Sequence, residues 1–600
     1  MATELVSPTR AAGDGGAMRT IAALWQNAIA AEHAAPAYLV EAGADWREVT
    51  WREAAERVDD LGHGLLALGI RKGDAFAILA QTQLDWAFVD FALALVGAVG
   101  VPIYANSSQK DCAYILDHAE AIGVFVEDDG QLAKVEAAKA ELPRLAHVIA
   151  FAELDTLAER GREHRQAHPS ALADAAAAID EDDLYTYLYT SGTTGFPKAC
   201  MIRHRNYHAM VTTIDRLDGF TVAGDVMLLY LPLAHNFGRL MHLVGPYVGY
   251  TVAFLPDPQR LPEALPRVRP TVLPSVPRVY EKVHTAVTAQ FEAATGAKRR
   301  LVDWALEVGS RASALRLRGE PLPRSLSLQH RLANRLVYSK IKDRLGGRLR
   351  IGISGGAPLA EEIGAFFHRL DILILEGYGL SECTTAATVN RPDRVRFGTV
   401  GPALPEVELR IADDGEILIR SQTVFAGYYR DEPSTRATLT DDGWLLSGDI
   451  GELDADGFLR ITDRKKDILV TAGGKNVAPQ SIENALKAAT LVSQALVVGD
   501  RRPYVTALLT LDPDAVSSWA GSQGLPLELD LLAGKPELEL ELQAAVDEVN
   551  RERSRYEQIK RFAVLPRDFE LERDEITPTL KLRRRVCEQH FADEIEALYR

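Results

Sequence analysis

Short apolar runs and segments of helical pattern alternate from the start of this 600-residue chain to about residue 380. The apolar runs are DAFAILA from Asp74, LYTYLYT from Leu184, TVAFL from Thr251, RIGIS from Arg350 and ILILEGYG from Ile372. Strand-length runs separated by helix-length segments are typical of a layered α/β domain with largely parallel strands. The first part of the chain is therefore predicted to be such a domain.

The most apolar stretch of the chain runs from Trp86 to Tyr104 and is interrupted by Asp90. The uninterrupted part, from Phe91 onwards, is too short to span a bilayer. The pattern instead predicts a buried helix that leads into a buried strand.

The pattern changes at about Arg394, where short β runs (VELRI, EILIRS and FLRITD) are separated by turns such as DDGE and DADG. Up to Asp463 this indicates antiparallel sheet or a small barrel. The polar run Asp463–Asp467 follows as a candidate boundary. Beyond it we predict a helix near Ser481–Ala488, strands at ALVVGD and YVTALLTLD, and a charged helical tail.

Composition narrows the function classes. The chain is 47% hydrophobic and 25% charged, with 67 basic and 84 acidic residues and a net charge of −17, so it is expected to be a globular protein that does not bind nucleic acid. No secretory signal is visible, and residues 1–20 are interpreted as a loose tail. The four cysteines form no CxxC pair and favour a reducing cytosol over a disulfide framework or a zinc site; they are Cys112, Cys200, Cys383 and Cys587.

One segment departs from the acidic character of the chain. Residues 298–350 hold fourteen Lys/Arg and four Asp/Glu, a local charge of +10. This segment is either a solvated helical insertion or a face for anionic lipid or another anionic ligand.

The strongest chemical signal is the string YTSGTTGFPK, Tyr189–Lys198, which follows a strand and precedes a helical pattern starting near His204. Glycines allow close backbone approach, and successive N–H groups, hydroxyls and a lysine can surround phosphate oxygens. The string is not a GxxxxGK[ST] P-loop.

This string resembles the phosphate loop of the adenylate-forming superfamily, which includes acyl-CoA synthetases, luciferases and peptide-synthetase adenylation domains. Further motifs match in the order of that family: LPLAHNF from Leu231, SGGAPL from Ser354, EGYGLSE from Glu376, GDIGELDADGFLRITDRKKD from Gly448 and TPTLKLRR from Thr577. The resemblance implies a large N-terminal domain of layered α/β subdomains with a small β-barrel-like subdomain (21–463, with the β-rich part at 394–463), a hinge at 464–467, and a small mobile α+β domain at 468–600.

The resemblance also implies a nucleotide site. Its phosphate-binding residues would be Thr190, Ser191, Gly192, Thr193, Thr194, Gly195 and Lys198. The residues around the adenine, with the loop that closes on it, would be Gly355, Gly356, Ala357, Glu376, Gly377, Tyr378, Gly379 and Ser381. Glu382 and Thr190 would hold Mg²⁺, which prefers one or two protein oxygens plus phosphate oxygens. The lesser alternative is that Glu382 only caps the helix that follows it.

Six more residues take their expected roles from the resemblance. Asp449, expected in a turn, would accept the ribose hydroxyls, and Arg464 would contact the nucleotide. Lys466 would contribute to the nucleotide site and act as the pivot of the hinge. Lys581 would be the catalytic lysine between the substrate carboxylate and the α-phosphate, and Gly473 would border the coenzyme A channel. His235 is expected near the acid carboxylate, although a lone histidine is more often structural.

The implied reaction uses ATP, Mg²⁺ and coenzyme A: a carboxylate displaces pyrophosphate, and the thiol then takes the acyl group from the adenylate. VPIYANSSQKDCAYILDHAEA from Val101 and LPSVPRVYEKV from Leu273 resemble long-chain fatty acyl-CoA synthetases. Four residues depart from that group: Asn106, Ala199, Asn236 and Gly238. The acyl chain length therefore stays open.

Two alternatives remain. Within the superfamily, the acceptor could be a carrier protein, although no carrier-like domain follows the last motif. In a different class, Gly352–Gly356 (GISGG) fits the GxSxG elbow of a serine hydrolase, with Ser354 as nucleophile and His368 or His590 as base.

Overall fold

A computed structural model describes residues 18–43, 45–190, 197–525, 532, 535–551, 553–577 and 581–600. The chain divides into two compact units. Unit one comprises Met1–Ala357, Glu362–Leu409 and Ile419–Leu446, and unit two comprises Pro358–Glu361, Arg410–Leu418 and Ser447–Arg600. The division runs through the predicted β-rich subdomain, and the boundaries drawn from the sequence stay predictions.

The strands of the described residues are β1 Tyr38–Ala42, β2 Asp45–Val49, β3 Ala75–Leu79, β4 Val99–Ile103, β5 Gly123–Val126, β6 His147–Ala150, β7 Leu184–Thr190, β8 Lys198–Arg203, β9 Val226–Leu229, β10 Thr251–Phe254, β11 Val272–Ser275, β12 Ile351–Ser354, β13 Leu373–Tyr378, β14 Thr388–Val389, β15 Glu408–Ile411, β16 Glu416–Arg420, β17 Leu445–Leu453, β18 Leu459–Arg464, β19 Leu469–Val470, β20 Asn476–Val477, β21 Val492–Val498, β22 Val505–Leu511 and β23 Ile559–Val564.

The α-helices of the described residues are α1 Ile21–Ala30, α2 Trp51–Ala67, α3 Leu84–Val96, α4 Gln109–His118, α5 Asp129–Ala138, α6 Leu154–Ala167, α7 Ala171–Ala177, α8 His204–Asp215, α9 Asn236–Val248, α10 Leu261–Val268, α11 Pro277–Glu292, α12 Gly296–Leu317, α13 Arg324–Ala333, α14 Ser339–Arg344, α15 Glu361–Arg369, α16 Glu432–Thr438, α17 Pro479–Lys487, α18 Pro513–Gln523, α19 Pro536–Arg551, α20 Arg584–His590 and α21 Ala592–Leu598.

Two sheets organise unit one. The larger has the strand order β14-β13-β12-β11-β9-β10-β1-β2, and the smaller has the order β6-β5-β3-β4-β7-β8. The inner strands pair in parallel, and β2, β14 and β8 add antiparallel edges. The predicted α/β class with largely parallel strands is confirmed.

The most apolar stretch forms α3 and then β4, as its pattern predicted. The helix stops at Gly97, which adopts the left-handed conformation that a helix end favours in glycine. Asp90 is fully buried in α3 and pairs with the equally buried Arg239 of α9, whose Nε lies 3.2 Å from the carboxylate. Tyr185 also donates to Asp90 at 2.7 Å. A charge in this helix is tolerated because it is paired and hydrogen-bonded, and the pair links α3 to α9.

Two details differ from the sequence prediction. Arg19 and Thr20, assigned to the loose tail, already contact the fold: Arg19 donates to Glu181 at 2.8 Å, and the buried Thr20 accepts from the Ala23 N–H as the N-cap of α1. Residues 1–17 of the predicted tail lie outside the described residues. Asp449, expected in a turn, lies within β17, because it pairs across the sheet with Arg464 of β18. In the part of the chain that the structure describes, no helix is long and apolar enough to cross a membrane.

Unit two contains a sheet in the order β21-β22-β23, with β22 buried along its whole length. One apolar cluster packs around Ile482, Leu509 and Leu542, and a second around Leu508, Cys587 and Phe591. Helices and a mixed sheet therefore form an α+β unit, as predicted for the C-terminal part of the chain.

Glu575 carries a buried carboxylate next to the second cluster, where the Cys587 thiol donates to its backbone carbonyl. The Glu575 side chain is fully buried and accepts from both terminal nitrogens of Arg567 at 2.6 Å and from the Glu570 N–H at 2.9 Å. His590 lies 2.9 Å away. Burial would raise the pKa of this carboxyl, but its hydrogen bonds to Arg567 and His590 outweigh burial and lower the pKa to about 2.

We expect Glu575→Gln to lower the unfolding free energy of unit two by about 2 kcal/mol, because it removes the charge of a fully buried group that accepts two hydrogen bonds from the partly exposed Arg567. Since the folded pKa lies below the ordinary value of 4.5, this stabilisation is complete above pH 4.5 and declines as the pH falls towards 2. Urea unfolding of the full chain across this pH range measures both effects. Glu570→Gln, at a half-exposed carboxylate paired with Arg573, is the matched control and should change stability by about 0.5 kcal/mol or less; equal losses in both variants would contradict the assignment.

Candidate active site

Two of the predicted loops leave the large sheet side by side. In the parallel pair β12 and β13, Ser354 is in register with Glu376. Gly355–Ala357, which follow β12, and Gly377–Gly379, at the end of β13, therefore lie at the same edge of the sheet. Loops at the carboxyl ends of parallel strands are the usual place for ligands in open α/β sheets. The structure therefore brings the predicted adenine-binding residues together.

Close backbone contacts explain the glycines of these loops. A Cβ at Gly379 would lie 1.7 Å from the Thr385 carbonyl oxygen, a distance that no side chain can adopt. Gly356 has φ +85°, which glycine adopts without strain. Tyr378 is 9% exposed at the end of β13, so most of its ring is already packed.

The residues from His235 to Phe237, at the start of α9, pack against the segments that hold Gly355 and Ser381. Phe237 approaches Gly355, whose Cβ would lie 3.3 Å from its ring. Asn236 donates to the Ser381 carbonyl at 3.4 Å and also accepts from the Tyr207 hydroxyl. The Asn236 departure from the long-chain motif thus ties α9 to the loop that carries Glu382.

His235 caps α9, with its Nδ1 accepting from the Phe237 N–H at 3.1 Å. In a neutral imidazole this places the proton on Nε2, which is then a hydrogen-bond donor. The following Gly238 is required by packing, since a Cβ there would lie 2.4 Å from the Pro232 carbonyl oxygen.

Thr190 and Lys198 face each other across the β7–β8 hairpin. The predicted phosphate-binding residues Ser191, Gly192, Thr193, Thr194 and Gly195 lie outside the described residues. Lys198 Nζ lies 3.4 Å from the Asp431 carboxylate and also bonds Ser434. The ends of the hairpin therefore place one hydroxyl and one ammonium at the base of the predicted loop.

The segment 425–429, which the sequence analysis missed, joins this hairpin to the Glu382 loop. Its backbone bonds β8 through Ala426, Gly427 and Tyr429, and the Phe425 N–H donates to the Glu382 carbonyl at 2.9 Å. The segment lies more than two hundred residues from β8 in sequence, so no local pattern predicts this pairing.

Tyr428 is the side chain that this segment adds to the site. Its hydroxyl donates to Glu382 Oε1 at 2.7 Å, and Lys198 Nζ lies 5.3 Å from the centre of its ring. Burial and the Glu382 carboxylate raise the pKa of this phenol, so it remains a donor at neutral pH. One aromatic residue therefore touches both the predicted phosphate-binding lysine and the predicted metal ligand.

Glu382 and Thr190 also lie near the same buried thiol. Burial raises the pKa of Cys200 well above its ordinary value, the charge of Glu382 raises it further, and a hydrogen bond with Thr190 opposes the rise. Thr190 ends β7, whereas Glu382 lies in the helical turn Ser381–Cys383 after β13. Cys200 itself stays a neutral thiol.

In unit two, Asp449 is 4% exposed and lies opposite Arg464 across β17 and β18. The Arg464 Nε donates to its carboxylate at 3.0 Å. The two residues expected at the nucleotide are therefore an ion pair in this structure. Their assignment to ribose and nucleotide stays a prediction.

The remaining expected residues of unit two lie at the surface. Lys466 is exposed, whereas its neighbour Lys465 is bonded to Asp414 at 2.6 Å and to Glu416 at 2.8 Å. Gly473 is exposed in the β19–β20 connection, and a Cβ there would come no closer than 3.9 Å to the Thr471 hydroxyl.

Lys581 is exposed, and its backbone is fixed from both sides by Thr577. The Lys581 N–H donates to the threonine hydroxyl at 3.0 Å, and the Thr577 N–H donates to the Lys581 carbonyl at 2.8 Å. The structure thus fixes where the chain holds this lysine, and its catalytic role stays a prediction.

The geometry does not support a hydrolase. Ser354 is fully buried, and its hydroxyl has no hydrogen-bond partner among the described residues. His368 bonds Ser313 at 2.7 Å, and His590 bonds Glu575. A nucleophile elbow needs an exposed serine beside a base, and Ser354 has neither feature.

Known proteins resemble this chain in sequence and in fold. Residues 25–429 match the family model described as AMP-binding enzyme, and residues 466–600 match the AMP-binding enzyme C-terminal domain. The chain is 40% identical over 562 residues to the long-chain-fatty-acid--CoA ligase FadD15 of Mycobacterium bovis, covering 92% of each chain. It is 31% identical over 581 residues to the peroxisomal long chain acyl-CoA synthetase 7 of Arabidopsis thaliana, covering 92% of this chain and 81% of the relative. The adenylation domain of a carboxylate reductase from Mycobacterium chelonae shares the fold at 24% identity, with a TM-score of 0.77 over 99% of this chain and 94% of that chain.

Proposed function

Because this chain belongs to the AMP-binding enzyme family, we propose that it is a fatty acid–CoA ligase. It activates a medium- to long-chain fatty acid as the acyl-adenylate and transfers the acyl group to coenzyme A. The observation that carries the proposal is the Lys198–Tyr428–Glu382 cluster, which places an ammonium and a carboxylate at the base of the predicted phosphate loop.

The first half-reaction needs two anions to approach each other. A carboxylate oxygen attacks the α-phosphorus of ATP, and the bond to pyrophosphate breaks. Lys198 neutralises phosphate charge, and Lys581 bridges the carboxylate and the α-phosphate. The Nε2–H of His235 donates to the acid carboxylate. Fixed charges that meet the developing negative charge supply most of such an acceleration.

The oxygen donors at the site suit Mg²⁺. Glu382 supplies a carboxylate that accepts from the Tyr428 hydroxyl, and Thr190 supplies a hydroxyl opposite Lys198 on the β7–β8 hairpin. Mg²⁺ is usually held by one or two protein oxygens together with phosphate oxygens and water. Glu382 and Thr190 would hold the ion, which would neutralise phosphate charge. Tyr428 fixes the Glu382 carboxylate for this task.

We expect Tyr428→Phe to raise the Mg²⁺ concentration for half-maximal pyrophosphate release about tenfold, because partners of metal ligands commonly contribute that much. The rate at saturating Mg²⁺ should change less. A Mg²⁺ titration of wild type and variant measures the effect. The neighbouring Tyr429→Phe, whose hydroxyl bonds Glu120 at 3.4 Å, is the matched control; an equal shift in both variants would remove Tyr428 from this role.

The remaining site residues bind the nucleotide or leave room for the thiol. Gly355, Gly356, Ala357, Glu376, Gly377, Tyr378, Gly379 and Ser381 surround the adenine, and Thr190, Ser191, Gly192, Thr193, Thr194 and Gly195 bind the phosphates. Asp449 accepts the ribose hydroxyls, and Arg464 contacts the nucleotide. Lys466, which also serves the nucleotide site, is the hinge, and Gly473 leaves space for the thiol. The thiolate attacks the acyl carbonyl of the adenylate, and AMP leaves.

An acid-dependent pyrophosphate-release panel, run with and without coenzyme A, tests this function. Medium- to long-chain fatty acids should exceed acetate, benzoate and amino acids. Each buried CH₂ should contribute about fourfold until the pocket ends. Coenzyme A should convert the adenylate to a thioester, and a preference for aromatic or amino acids would overturn the substrate class. Adenylate that forms but accumulates in the presence of coenzyme A would favour a carrier protein as acceptor.

We place the enzyme in the cytoplasm, with peripheral contact through the basic segment 298–350 at the inner face of the membrane. Its fatty acid substrate partitions into that bilayer, and a segment of local charge +10 in an otherwise acidic chain is suited to anionic lipid.

A further inference from the structure

Helix α13 is apolar on two sides. Leu326, His330 and Ala333 are buried on its inner side. On its outer side Leu328 is 63% exposed and Leu332 is 49% exposed. Most surface helices carry polar residues on their outer side, so these leucines need an explanation beyond the fold.

The exposed apolar row continues into the π-helical turn Asn334–Tyr338, where Leu336 is 37% exposed. The three leucines are spaced four residues apart, on successive turns. We call Leu328, Leu332 and Leu336 the leucine ridge. Contiguous apolar side chains at a surface mark a contact site more often than scattered ones do.

Positive charge surrounds the leucine ridge. Arg324, Arg331, Arg335 and Lys340 are exposed on the same stretch. No Asp or Glu occurs between Pro321 and Lys342. Residues 298–350 carry +10, so the remainder of the chain carries −27 to give the total of −17. The leucine ridge therefore lies within a basic segment of an otherwise acidic protein.

We propose that the leucine ridge and its arginines form a docking surface for an anionic lipid bilayer. The leucines insert between headgroups, and the long arginine side chains reach the phosphates beside them. This narrows the peripheral contact of the proposed function from a 53-residue segment to one helix and the turn after it.

Charge favours lipid over a second copy of the chain. A two-fold dimer places the same patch against itself. Arg324, Arg331 and Arg335 would then face their own copies, and like charges at an interface oppose association. A bilayer of anionic lipid satisfies the apolar and the cationic side chains at once.

Sedimentation of the full chain with phosphatidylcholine vesicles, with and without phosphatidylglycerol, tests the surface without any substrate. Wild type should bind only the phosphatidylglycerol vesicles, and more weakly at high salt. Replacing Leu328, Leu332 and Leu336 by Gln should weaken binding about tenfold or more, because the inserted apolar area is lost. Replacing Arg324, Arg331 and Arg335 by Gln should weaken binding about fivefold per arginine.

Matched controls use exposed residues elsewhere. One control variant replaces Leu453 and Leu540 by Gln. These leucines are 37% and 71% exposed, so the variant controls for the loss of exposed leucines in general. The other control variant replaces Arg436, Arg501 and Arg551 by Gln. Their side chains are highly exposed, so the variant controls for the loss of positive charge in general. Both control variants should bind the vesicles as wild type does.

The surface is rejected if wild type fails to bind the anionic vesicles, or if ridge and control variants bind equally well. A wild-type dimer that the leucine variant loses, without vesicle binding, would assign the ridge to a second copy instead. Pyrophosphate release from a water-soluble acid should be unchanged in the ridge variants. The vesicle result therefore stands apart from the activity, and failure of one proposal does not imply failure of the other.

Discussion

Lys581→Ala should lower the rate of acyl-adenylate formation by about 10²–10³, because a positioned charge that meets developing negative charge contributes on that scale. The fold should be unaffected, since both hydrogen bonds between this residue and Thr577 use the Lys581 backbone. The variant should still convert a synthetic acyl-adenylate and coenzyme A to the thioester. Single-turnover measurements of each half-reaction separate these outcomes.

Lys560→Ala is the matched control, because Lys560 is an exposed lysine of the same unit that donates to Gln558 at 2.8 Å. It should leave both half-reactions unchanged. If Lys581→Ala slows thioester formation from the synthetic adenylate as much as it slows adenylation, the lysine does not belong to the first step alone.

The fold could be predicted where a segment is buried, because buried segments have a recognisable apolar sequence. Buried parallel strands are continuous apolar runs, and LYTYLYT became β7 over Leu184–Thr190 without any shift. Asp449 shows the limit of this reasoning. Its polar, glycine-rich surroundings are typical of a turn, but cross-strand pairing with Arg464 placed it in β17. Propensity is a weak guide where tertiary pairing decides.

The motifs of the candidate site could be predicted from the sequence, but the contacts between distant segments could not. Short motifs carry the chemistry of a loop, so the residues around Ser354 and Glu376 could be identified before their loops were seen to leave adjacent strands. Tyr428 could not be found in this way, because its role arises from contact with Glu382 and from the pairing of its segment with β8. The buried Asp90–Arg239 pair has the same origin, since a lone Asp in an apolar run gives no sign of its partner.

Gly473→Leu should form acyl-adenylate at the wild-type rate and stall before the thioester. The residue offers space and no chemical group, so its proposed role is to leave room for the incoming thiol. The structure tolerates a side chain here, because the nearest atom to a Cβ would be the Thr471 hydroxyl at 3.9 Å and the φ of Gly473 is not in the left-handed region. A defect therefore would not come from misfolding. Pyrophosphate release in a single turnover should be normal, while coenzyme A fails to discharge the adenylate.

Gly224→Leu is the matched control, since no atom of the described residues lies within 4 Å of a Cβ at that position and its φ is also outside the left-handed region. It belongs to unit one, away from the β19–β20 connection in sequence, and should leave both half-reactions intact. A bulky side chain that blocks the thiol should raise the coenzyme A concentration needed for discharge, and Gly473→Ala should show an intermediate effect because the obstruction scales with volume. If the leucine variant discharges its adenylate as fast as wild type, coenzyme A does not pass Gly473. If it loses adenylation as well, the residue serves the first step, and the division of roles between Gly473 and Lys581 is wrong.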